Sequence, residues 1–517
     1  MTALQDLIGG FGMLFSDPQA LFFTLLAAFV GIVFGALPGL TASAAIAMLL
    51  PLSFYLGPLP ALAFLYVIGK SGRYGGSIAA ILFNTPGTAA SAATMQDGHP
   101  MARRGQPNRA LRTATVASVF GDYVGEIVLI FGAVWIATYT RTFGPTEYFA
   151  IYLMAFVVIG SVVGQSITKG ILSTILGALV ALIGVDIITN TPRLTFGTQD
   201  LRDGMSLVPL LIGVFVVSEI VIQAERAGKA AVVDAGLADI HRRDHLSFAE
   251  VRRLIPLMFR SSIMGSVIGM MPGLGSSVAC FVAYGEEKRR ASNREEWGTG
   301  VIEGIAAPES ANNAVSGPSM IPLLTLGVPG STVAAVLIGV FLIHGIQVGP
   351  LLFSESNMII TDSGDFFSSR ELIFALFAAG LVGIAAYGFL GFWGGPLIGK
   401  TIARVPPRYL YPFIFLTAVA ASYSARASIL DVAIALLFGV VGYLMRRTGF
   451  APAAFVIAYV LARPMEESFR QALLLSDDGA LIFLREPVAG GFLLAGAIVV
   501  VLRLISTRRA ARRDATA

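Results

Sequence analysis

Long apolar stretches, each close to the length that crosses a lipid bilayer, follow one another along this chain with short polar stretches between them. An apolar helix of about 20 residues spans the hydrocarbon core of a membrane. Uninterrupted spans are predicted at about 113–138, 147–167, 170–189 and 206–223, and five more follow residue 371. The pattern predicts an all-α polytopic membrane protein with roughly 10–14 membrane segments.

Other apolar stretches are interrupted by Pro-Gly pairs, and the interrupted stretches occur twice. Residues 31–40 read G-x-x-x-G-x-x-P-G-L, and residues 265–274 repeat this order. Pro86-Gly87-Thr88 is likewise matched by Pro329-Gly330-Ser331. Proline interrupts a helix because it lacks the backbone N–H and clashes with the preceding turn. The sequence therefore predicts two repeat halves, each containing discontinuous helices or re-entrant hairpins.

The charges of the loops orient these halves in the membrane. Loops rich in Lys and Arg remain in the cytoplasm, and the first pair of breaks leads to such a loop at 98–112. The second pair starts from a basic linker and ends at the acidic loop 354–371. We therefore expect inverted-topology repeats, which many secondary transporters have, with a periplasmic N-terminus and a cytoplasmic C-terminus. The expected division is a first half at 1–223 (broken helices 20–94, scaffold spans 113–223), a basic cytoplasmic linker at 224–262, and a second half at 263–517 (broken helices 263–350, scaffold spans 371–505).

Composition narrows the function class. The 517 residues are 55% hydrophobic and 13% charged, whereas soluble domains contain roughly 25% charged residues. The polar stretches are too short for a soluble catalytic domain, and the net charge of +4 fits basic cytoplasmic loops without any nucleic-acid-binding motif. The single cysteine, Cys280, excludes an internal disulfide and a cysteine-based metal cluster. We expect no removable signal peptide, no cofactor and no enzyme activity, since phosphate-binding loops and hydrolase motifs are missing.

The residues around each break form the predicted substrate site. A half-helix that starts after a break presents free N–H groups and a positive dipole, which favour a carboxylate. The alternative is a set of kinks that neighbouring helices satisfy, but four breaks paired by repeat favour a binding site. The G-x-x-x-G glycines are instead predicted to pack helices closely. The predicted substrate-binding residues are Pro38, Gly39, Thr41, Ser43, Asn84, Thr85, Gly87, Thr88, Gly273, Ser276, Ser277, Asn312, Asn313, Gly330, Ser331 and Thr332.

Carboxylates inside the apolar stretches are the candidates for ion coupling. Glu309 follows Pro308 and is interpreted either as a buried cation or proton site or as a capping residue at the membrane edge. Asp122 and Glu126 share one helical face, so ionising both would be costly. A polar seam between helices is the favoured interpretation of this pair, and proton coupling is the alternative.

Amide and basic side chains complete the list of candidates. Asn84 and the pair Asn312-Asn313 are a candidate Na⁺ site, because buried amides must be bonded. Lys70 and Arg73 precede Gly75-Gly76. They are expected either to attract an anion at the mouth of a cavity or to extend their charges to the membrane interface.

Many of these motifs resemble one known family along almost the whole chain. They are Gly31 to Thr41, Tyr74-Gly75-Gly76-Ser77-Ile78, Thr85-Pro86-Gly87-Thr88, Asp97-Gly98, Leu194-Thr195-Phe196-Gly197, Pro308-Glu309-Ser310-Ala311-Asn312-Asn313-Ala314, Leu326-Gly327-Val328-Pro329-Gly330, His344-Gly345 and Glu466-Glu467-Ser468-Phe469-Arg470-Gln471. The chain resembles the large membrane subunit of the tripartite tricarboxylate transporter family. The charged residues Lys70, Arg73, Asp122 and Glu126 are not fixed parts of that family pattern.

The resemblance implies a multi-pass protein of the bacterial inner membrane. Its partners would be a small four-helix membrane subunit and a periplasmic solute-binding protein that delivers a citrate-like di- or tricarboxylate. Uptake would be symport with Na⁺ or H⁺, and an elevator-like movement would alternate access to the site. A passive organic-anion channel is the alternative, and a membrane-embedded enzyme or flippase ranks last because no nucleophile or metal cluster is present.

Overall fold

Helices make up nearly all of the regular structure. The computed structural model describes residues 3–37, 40–162, 166–186, 188–227, 244–354, 356–360, 366–403, 407–477 and 479–514. The prediction of an all-α polytopic membrane protein is confirmed. In the first half the helices are α1 (Ala3–Ser16), α2 (Pro18–Ala36), α3 (Ala42–Leu49), α4 (Pro58–Phe83), α5 (Ser91–Arg103), α6 (Pro107–Thr140), α7 (Pro145–Val162), α8 (Ile167–Ala181), α9 (Leu207–Leu211) and α10 (Ser218–Ala227).

The second half contains the remaining helices. They are α11 (Phe248–Met270), α12 (Gly275–Arg290), α13 (Ile302–Ala314), α14 (Ile321–Leu326), α15 (Thr332–Ile343), α16 (Ser369–Ala403), α17 (Pro407–Ser424), α18 (Ile429–Arg447), α19 (Pro452–Leu474), α20 (Ile482–Arg485) and α21 (Pro487–Asp514). A π-helical turn, Ile212–Val217, joins α9 to α10. Two short antiparallel strand pairs lie in loops: β1 (Gly184–Val185) with β2 (Pro192–Arg193), and β3 (Met358–Ile360) with β4 (Phe366–Ser368).

Seven helices within the described residues are long and apolar enough to cross a membrane, judged by length and composition. They are Pro18–Ala36, Pro107–Thr140, Pro145–Val162, Leu207–Glu225, Ser369–Gly399, Ile429–Arg447 and Pro487–Ile505. Four shorter apolar helices accompany them: Ala42–Tyr55, Ile167–Ala181, Thr332–Ile343 and Tyr411–Ser424. The predicted spans at 113–138, 147–167 and 206–223 correspond to long helices, whereas the span predicted at 170–189 corresponds to the 15-residue α8. The full number of membrane segments stays a prediction.

Local sequence signals explain where several helices begin. The Asp17 carboxylate caps α2 by accepting hydrogen bonds from the N–H groups of Gln19 and Ala20, both at 2.9 Å. Ser247 and Glu250 form a capping box at the start of α11. Proline occupies the first position of α2 and of α4, where the missing N–H costs no helical hydrogen bond.

Helices stop at the predicted breaks. α2 ends at Ala36 and α3 begins at Ala42, while Pro38 and Gly39 between them lie outside the described residues. α4 ends at Phe83, and its C-cap, Asn84, has a left-handed conformation with φ of 51°. In the second half, residues 271–274 separate α11 from α12, and residues 327–331 separate α14 from α15.

Gly75-Gly76 does not interrupt α4, and packing explains why the helix needs glycine there. A Cβ at Gly75 would lie 2.5 Å from the Ile32 carbonyl oxygen and 2.9 Å from the Gly35 Cα. The absence of a side chain thus lets α2 and α4 approach within backbone contact.

The two G-x-x-x-G motifs pack helices, as the sequence predicts. Gly31 and Gly35 lie against Gly72 of α4, while Gly265 lies against Ala311 of α13 and Gly269 against Val315, the C-cap of α13. In the first half, α2 ends at a break and packs on α4, the second helix after that break. In the second half, α11 ends at a break and packs on α13, again the second helix after it. The shared arrangement agrees with an internal repeat.

Helix α4 is at the centre of the molecule. Residues 59–82 of α4 are all buried, and α2, α6, α13 and α16 pack around it. Contacts from Arg73 to Asn312 and from Ser77 to Glu309 show that α4 and α13 run antiparallel. This is the relation that inverted repeats require, although inversion of the complete halves stays a prediction.

The predicted scaffold spans fall into two groups in the structure. α6 and α16 pack against α4 and belong to the central group. α7, α8, α18, α19 and α21, together with the π-helical turn, pack mainly among themselves. α3 and α15, which follow the first and last breaks, contact both groups. The division into scaffold and moving part stays a prediction.

Candidate functional site

The segments that follow the Pro-Gly breaks meet around residues 69–76 of α4. Gly72 lies against Ala42 at the start of α3, and Gly76 lies against Thr88 and Ser91 at the start of α5. Gly69 lies against Val333 in the first turn of α15. α12, which follows the third break, packs on α5 through Cys280, Ala90 and Ala93. The tertiary structure therefore brings the ends of the broken helices to one place.

Hydroxyl side chains cap the helices that start at two breaks. Thr41 Oγ1 accepts a hydrogen bond from the Ala44 N–H at 3.2 Å, and it lies 3.0 Å from the hydroxyl of Ser43. Ser331 Oγ accepts from the Ala334 N–H at 3.1 Å. These hydroxyls satisfy one free N–H of each helix, and the remaining N–H groups of the first turn stay directed towards the break.

The second break is closed by its own side chains. Thr88 and Ser91 are hydrogen-bonded through their hydroxyls at 2.8 Å, and each hydroxyl also accepts from the other residue's N–H. Thr85 donates to the Phe83 carbonyl at 3.0 Å. Gly87 is buried against Gly35, where a Cβ would lie 2.9 Å from the Gly35 carbonyl oxygen.

The two breaks of the second half touch each other. The Gly273 N–H donates to the Gly330 carbonyl at 3.4 Å, and Gly273 has a left-handed φ of 88°. Ser331 Oγ lies 3.3 Å from Ser319 Oγ. Further half-buried hydroxyls stand in the first turns of α12 and α15, on Ser276, Ser277 and Thr332.

The predicted amides separate into two places. Asn312 and Asn313 are buried on α13, whereas Asn84 is exposed at the end of α4. Asn84 follows Arg73 by eleven residues, or about 16 Å along a helix. Because Arg73 contacts Asn312, the structure does not bring Asn84 into one Na⁺ site with the other two amides.

A cavity of about 530 Å³ opens beside the first two breaks. One wall contains Thr41 and Thr88, together with Pro86 and Gly87. The opposite wall is formed by α10 and α18, where Arg446 pairs with Glu219. The cavity therefore separates the broken helices of the central group from helices of the outer group.

Glu309 is buried in a cage of hydroxyl groups. Its Oε1 accepts hydrogen bonds from Ser77, at 2.6 Å, and from Thr94, while its Oε2 accepts from Ser118 at 2.9 Å. These hydroxyls come from α4, α5 and α6, and Glu309 has no exposed surface. It is therefore a buried carboxylate, and the alternative of a cap at the membrane edge is wrong because α13 lies inside the helix bundle.

Asp122 and Glu126 share a single ammonium group. Lys70 Nζ lies 2.7 Å from Asp122 Oδ1 and 2.7 Å from Glu126 Oε2, and all three side chains are fully buried. Tyr66 donates to Glu126 at 2.8 Å and Tyr387 donates to Asp122 at 3.2 Å. This is the polar seam that the sequence favours. The expectation that Lys70 lies at a cavity mouth or extends to the interface is wrong, because two carboxylates hold it in the interior.

Arg73 is buried one turn further along α4. Its side chain is on the same face as those of Lys70 and Ser77, towards α6 and α13. Its Nη1 lies 3.5 Å from the Asn312 carbonyl oxygen, and its Nε has no hydrogen-bond partner. Burial likewise excludes an interfacial position for this guanidinium.

The sequence indicates this polar face of α4 through the spacing of its polar residues, which no single residue reveals. Lys70, Arg73 and Ser77 are spaced by three and four residues, which places them on one side of a helix. A polar stripe of this kind within an apolar span indicates partners on neighbouring helices. The partners Thr94 and Ser118 carry no comparable signal, because isolated hydroxyls are common in membrane helices.

A second cluster of charges joins the loop after α8 to α19. Arg193 binds both carboxylate oxygens of Glu466, at 2.9 and 3.2 Å, and Arg470 binds Asp186. Backbone N–H groups, chiefly that of Thr189, and the Arg470 guanidinium hold the pKa of Asp186 well below its usual range. The family-like motif around Glu466 therefore fastens the loop that follows α8 and lies apart from the breaks.

The sequence is similar to those of known proteins over most of its length. The chain matches the family model of the tripartite tricarboxylate transporter TctA family over residues 21–457. It is 34% identical over 514 residues, 98% of both chains, to the "uncharacterized 52.8 kDa protein in TAR-I ttuC' 3'region" of Agrobacterium vitis. It is 36% identical over 250 residues to the "uncharacterized protein in TAR-II ttuC' 3'region" of the same organism, over 48% of this chain and 97% of that one. No solved structure matches the chain. The chain therefore belongs to the tripartite tricarboxylate transporter TctA family.

Proposed function

We propose that this protein is an ion-coupled secondary importer of di- or tricarboxylates such as citrate. It would work in the bacterial inner membrane with a periplasmic solute-binding protein and a small four-helix membrane subunit. The observation that carries the proposal is the meeting of the broken helix ends around residues 69–76 of α4. Family membership supports transport of tricarboxylates by a system with partner proteins.

The chemistry of the helix ends suits a carboxylate. The first turns of α3 and α15 present backbone N–H groups and the positive end of a helix dipole. Hydroxyls at Thr41, Thr88 and Ser331 add hydrogen-bonding groups around the same place. Transporters with discontinuous helices bind anionic substrates at such ends.

Glu309 is the best candidate for the coupling group. A carboxylate surrounded by hydroxyl oxygens can take up a proton or provide oxygen ligands for a hard cation. Glu309 precedes Asn312 by one helical turn, so its charge lies close to the proposed substrate site. An ion bound there would lower the cost of a buried negative charge. The lower energetic cost of the buried charge would couple binding of the ion to movement of the substrate.

The cavity between the two groups of helices supports alternating access. It reaches Thr41 and Thr88 from the side of α10, whose chain continues into the basic linker. That linker is predicted to be cytoplasmic, so the cavity would open inwards. We propose that the central group slides against the outer group in an elevator-like movement.

Transport into vesicles tests the proposed function. The protein is reconstituted with its membrane subunit, and accumulation of labelled citrate is followed with the binding protein present, under imposed Na⁺ or H⁺ gradients. We expect accumulation above the external concentration that collapses when an ionophore removes the gradient. Accumulation that persists after the gradient is removed would contradict ion coupling, and simple equilibration would support a passive channel.

The same vesicles test the coupling group. Replacing Glu309 with Gln keeps the size of the side chain but removes the charge, so the dependence of uptake on Na⁺ or on pH should change. The matched control is Glu287→Gln, since Glu287 is also buried but pairs with Arg260 away from the breaks. If the Glu309 variant keeps both dependences of the native protein, Glu309 is not the coupling group.

A further inference from the structure

Arg73 is a buried cation without an acidic partner in the described part of the chain. The residue is 8% exposed. Its Nε has no hydrogen-bond partner, and its Nη1 makes one long contact of 3.5 Å to a backbone carbonyl. Charges removed from water are stable only when they are paired and hydrogen-bonded. The guanidinium therefore has a buried donor, the Nε–H, in a place where it needs an acceptor.

Other basic groups of the chain show how this protein normally satisfies a buried charge. Lys70, three residues earlier on the same helix, contacts two carboxylates at 2.7 Å. Arg260 binds both oxygens of Glu287, and Arg426 binds both oxygens of Asp431. Arg73 is more deeply buried than either of these arginines, whose side chains are 42% and 33% exposed. The difference indicates that the anion for Arg73 comes from outside the chain.

Asn312 provides a second free polar group at the same place. Its backbone carbonyl contacts Arg73, and neither Nδ2 nor Oδ1 of its side chain has a hydrogen-bond partner, although the residue is only 1% exposed. The neighbouring Asn313 differs, because its Nδ2 donates to the Glu309 carbonyl at 3.1 Å. An amide N–H₂ and a guanidinium are both donors to carboxylate oxygen.

The surroundings of Arg73 belong to the broken helices. Its neighbours on α4, Gly72 and Gly76, contact the starts of α3 and α5, and Gly69 contacts the start of α15. Arg73 and Asn312 therefore lie at the level of α4 where the segments after the breaks contact it, on the neighbouring face of that helix.

We propose that the guanidinium of Arg73 and the side-chain amide of Asn312 together bind one carboxylate group of the transported substrate, an inference that rests on the proposed function. A planar guanidinium binds a carboxylate through two parallel hydrogen bonds, which an ammonium group cannot reproduce. Arg73 acts here as a substrate-binding residue from α4, and Asn312 supplies a donor from the opposite half of the chain. The site is complete only when α4 and α13 are packed together.

Equilibrium binding of citrate tests the proposal directly. Purified protein in lipid nanodiscs is titrated with labelled citrate, so that no ion gradient is needed. We expect Arg73→Lys to weaken citrate binding about tenfold or more, and Arg73→Gln further, because a charge-assisted hydrogen bond is lost. Asn312→Ala should weaken binding several-fold. The control Arg260→Lys replaces another partly buried arginine far from the breaks and should bind citrate like the native protein.

Analogues of citrate identify the group that Arg73 binds. Each analogue has one carboxylate converted to an amide, which removes its charge but keeps its shape. The native protein should bind at least one analogue about tenfold more weakly than citrate. Arg73→Gln should bind citrate and that analogue equally, because the lost charge no longer has a partner. If Arg73 merely balances the charge of Asp122, the Arg73→Gln variant will still bind citrate more tightly than the analogue, as the native protein does.

The outcomes separate this inference from the proposed function. A native protein that binds citrate, with Arg73→Lys and Asn312→Ala variants that bind it equally well, would overturn the inference and leave the proposed function standing. A native protein that neither binds nor transports any di- or tricarboxylate would overturn the proposed function and the inference with it. If Arg73→Gln fails to fold, as judged by gel filtration, Arg73→Lys and Asn312→Ala decide the question.

Discussion

Single residues in the interior of this protein owe their positions to partners on other helices. Lys70 is fully buried in an apolar helix because Asp122 and Glu126 approach it from α6. Tyr66 and Tyr387 each donate one further hydrogen bond, to Glu126 and to Asp122 respectively. Such a cluster is stable as a whole, and removing one member leaves uncompensated charge in a medium of low dielectric constant.

Replacing Lys70 with Met should destabilise the protein by about 3–5 kcal/mol, because two buried carboxylates would lose their shared cation. The single cysteine, Cys280, is buried and reports on unfolding. A thiol-reactive fluorophore added during a temperature ramp should therefore show a lower midpoint for Lys70→Met.

The control for this change is the triple variant Lys70→Met, Asp122→Asn, Glu126→Gln. It removes all three ionisable groups together, so most of the lost stability should return. A Lys70→Met variant with the native unfolding midpoint would contradict the buried ion-pair arrangement.

Whole elements are held together by glycines that allow backbone contact. α2 rests on α4 through Gly35 and Gly75, and α11 rests on α13 through Gly265 and Gly269. α6 approaches α13 in the same manner, since Gly125 lies against Ala314. Without apolar driving force between helices in lipid, close packing of this kind is a main source of association.

Replacing Gly75 with Ala should destabilise the protein by about 1–3 kcal/mol, since overpacking forces the two backbones apart. The new Cβ would lie 2.5 Å from the Ile32 carbonyl oxygen and 2.9 Å from the Gly35 Cα. The thiol-reactive fluorophore assay measures the unfolding midpoint of the variant.

Gly285→Ala is the matched control, since Gly285 also lies within a helix but has open space around it. Alanine there should leave stability unchanged or raise it by up to about 1 kcal/mol. Equal midpoints for Gly75→Ala and Gly285→Ala would show that α2 and α4 are not in backbone contact.

At the scale of the whole molecule, the central group around α4 and the outer group of α7, α8, α18, α19 and α21 leave a cavity between them. Thr88 lies on its wall and is partly exposed. On the loop after β2, Phe196 is 80% exposed, and that loop is predicted to be extracytoplasmic. The two positions should therefore be reachable from opposite sides of the membrane.

Labelling of introduced cysteines tests this orientation. In a Cys280→Ala background, Thr88→Cys should react with a membrane-impermeant maleimide in inside-out vesicles, and citrate should slow the reaction. Phe196→Cys, the control, should react in intact cells and not in inside-out vesicles. Reaction of Thr88→Cys from the periplasmic side alone would contradict an inward-opening cavity.

The sequence by itself determined the membrane class, the places of the breaks and the packing role of the paired glycines. These features are local: apolar length fixes a span, a Pro-Gly pair ends a helix, and small residues at a spacing of four form a flat surface. The motifs along the chain likewise indicated the family to which it belongs.

Only the tertiary structure decided which polar groups meet. Lys70 lies 52 residues from its partner Asp122 in the chain, and Ser77 lies 232 residues from Glu309. No local pattern encodes such a pair, because the partner is chosen by how the helices pack. The same reason explains why Asn84 and Asn312, both predicted from apolar stretches, have different surroundings: Asn84 caps α4 at the surface, and Asn312 lies inside the bundle beside Arg73.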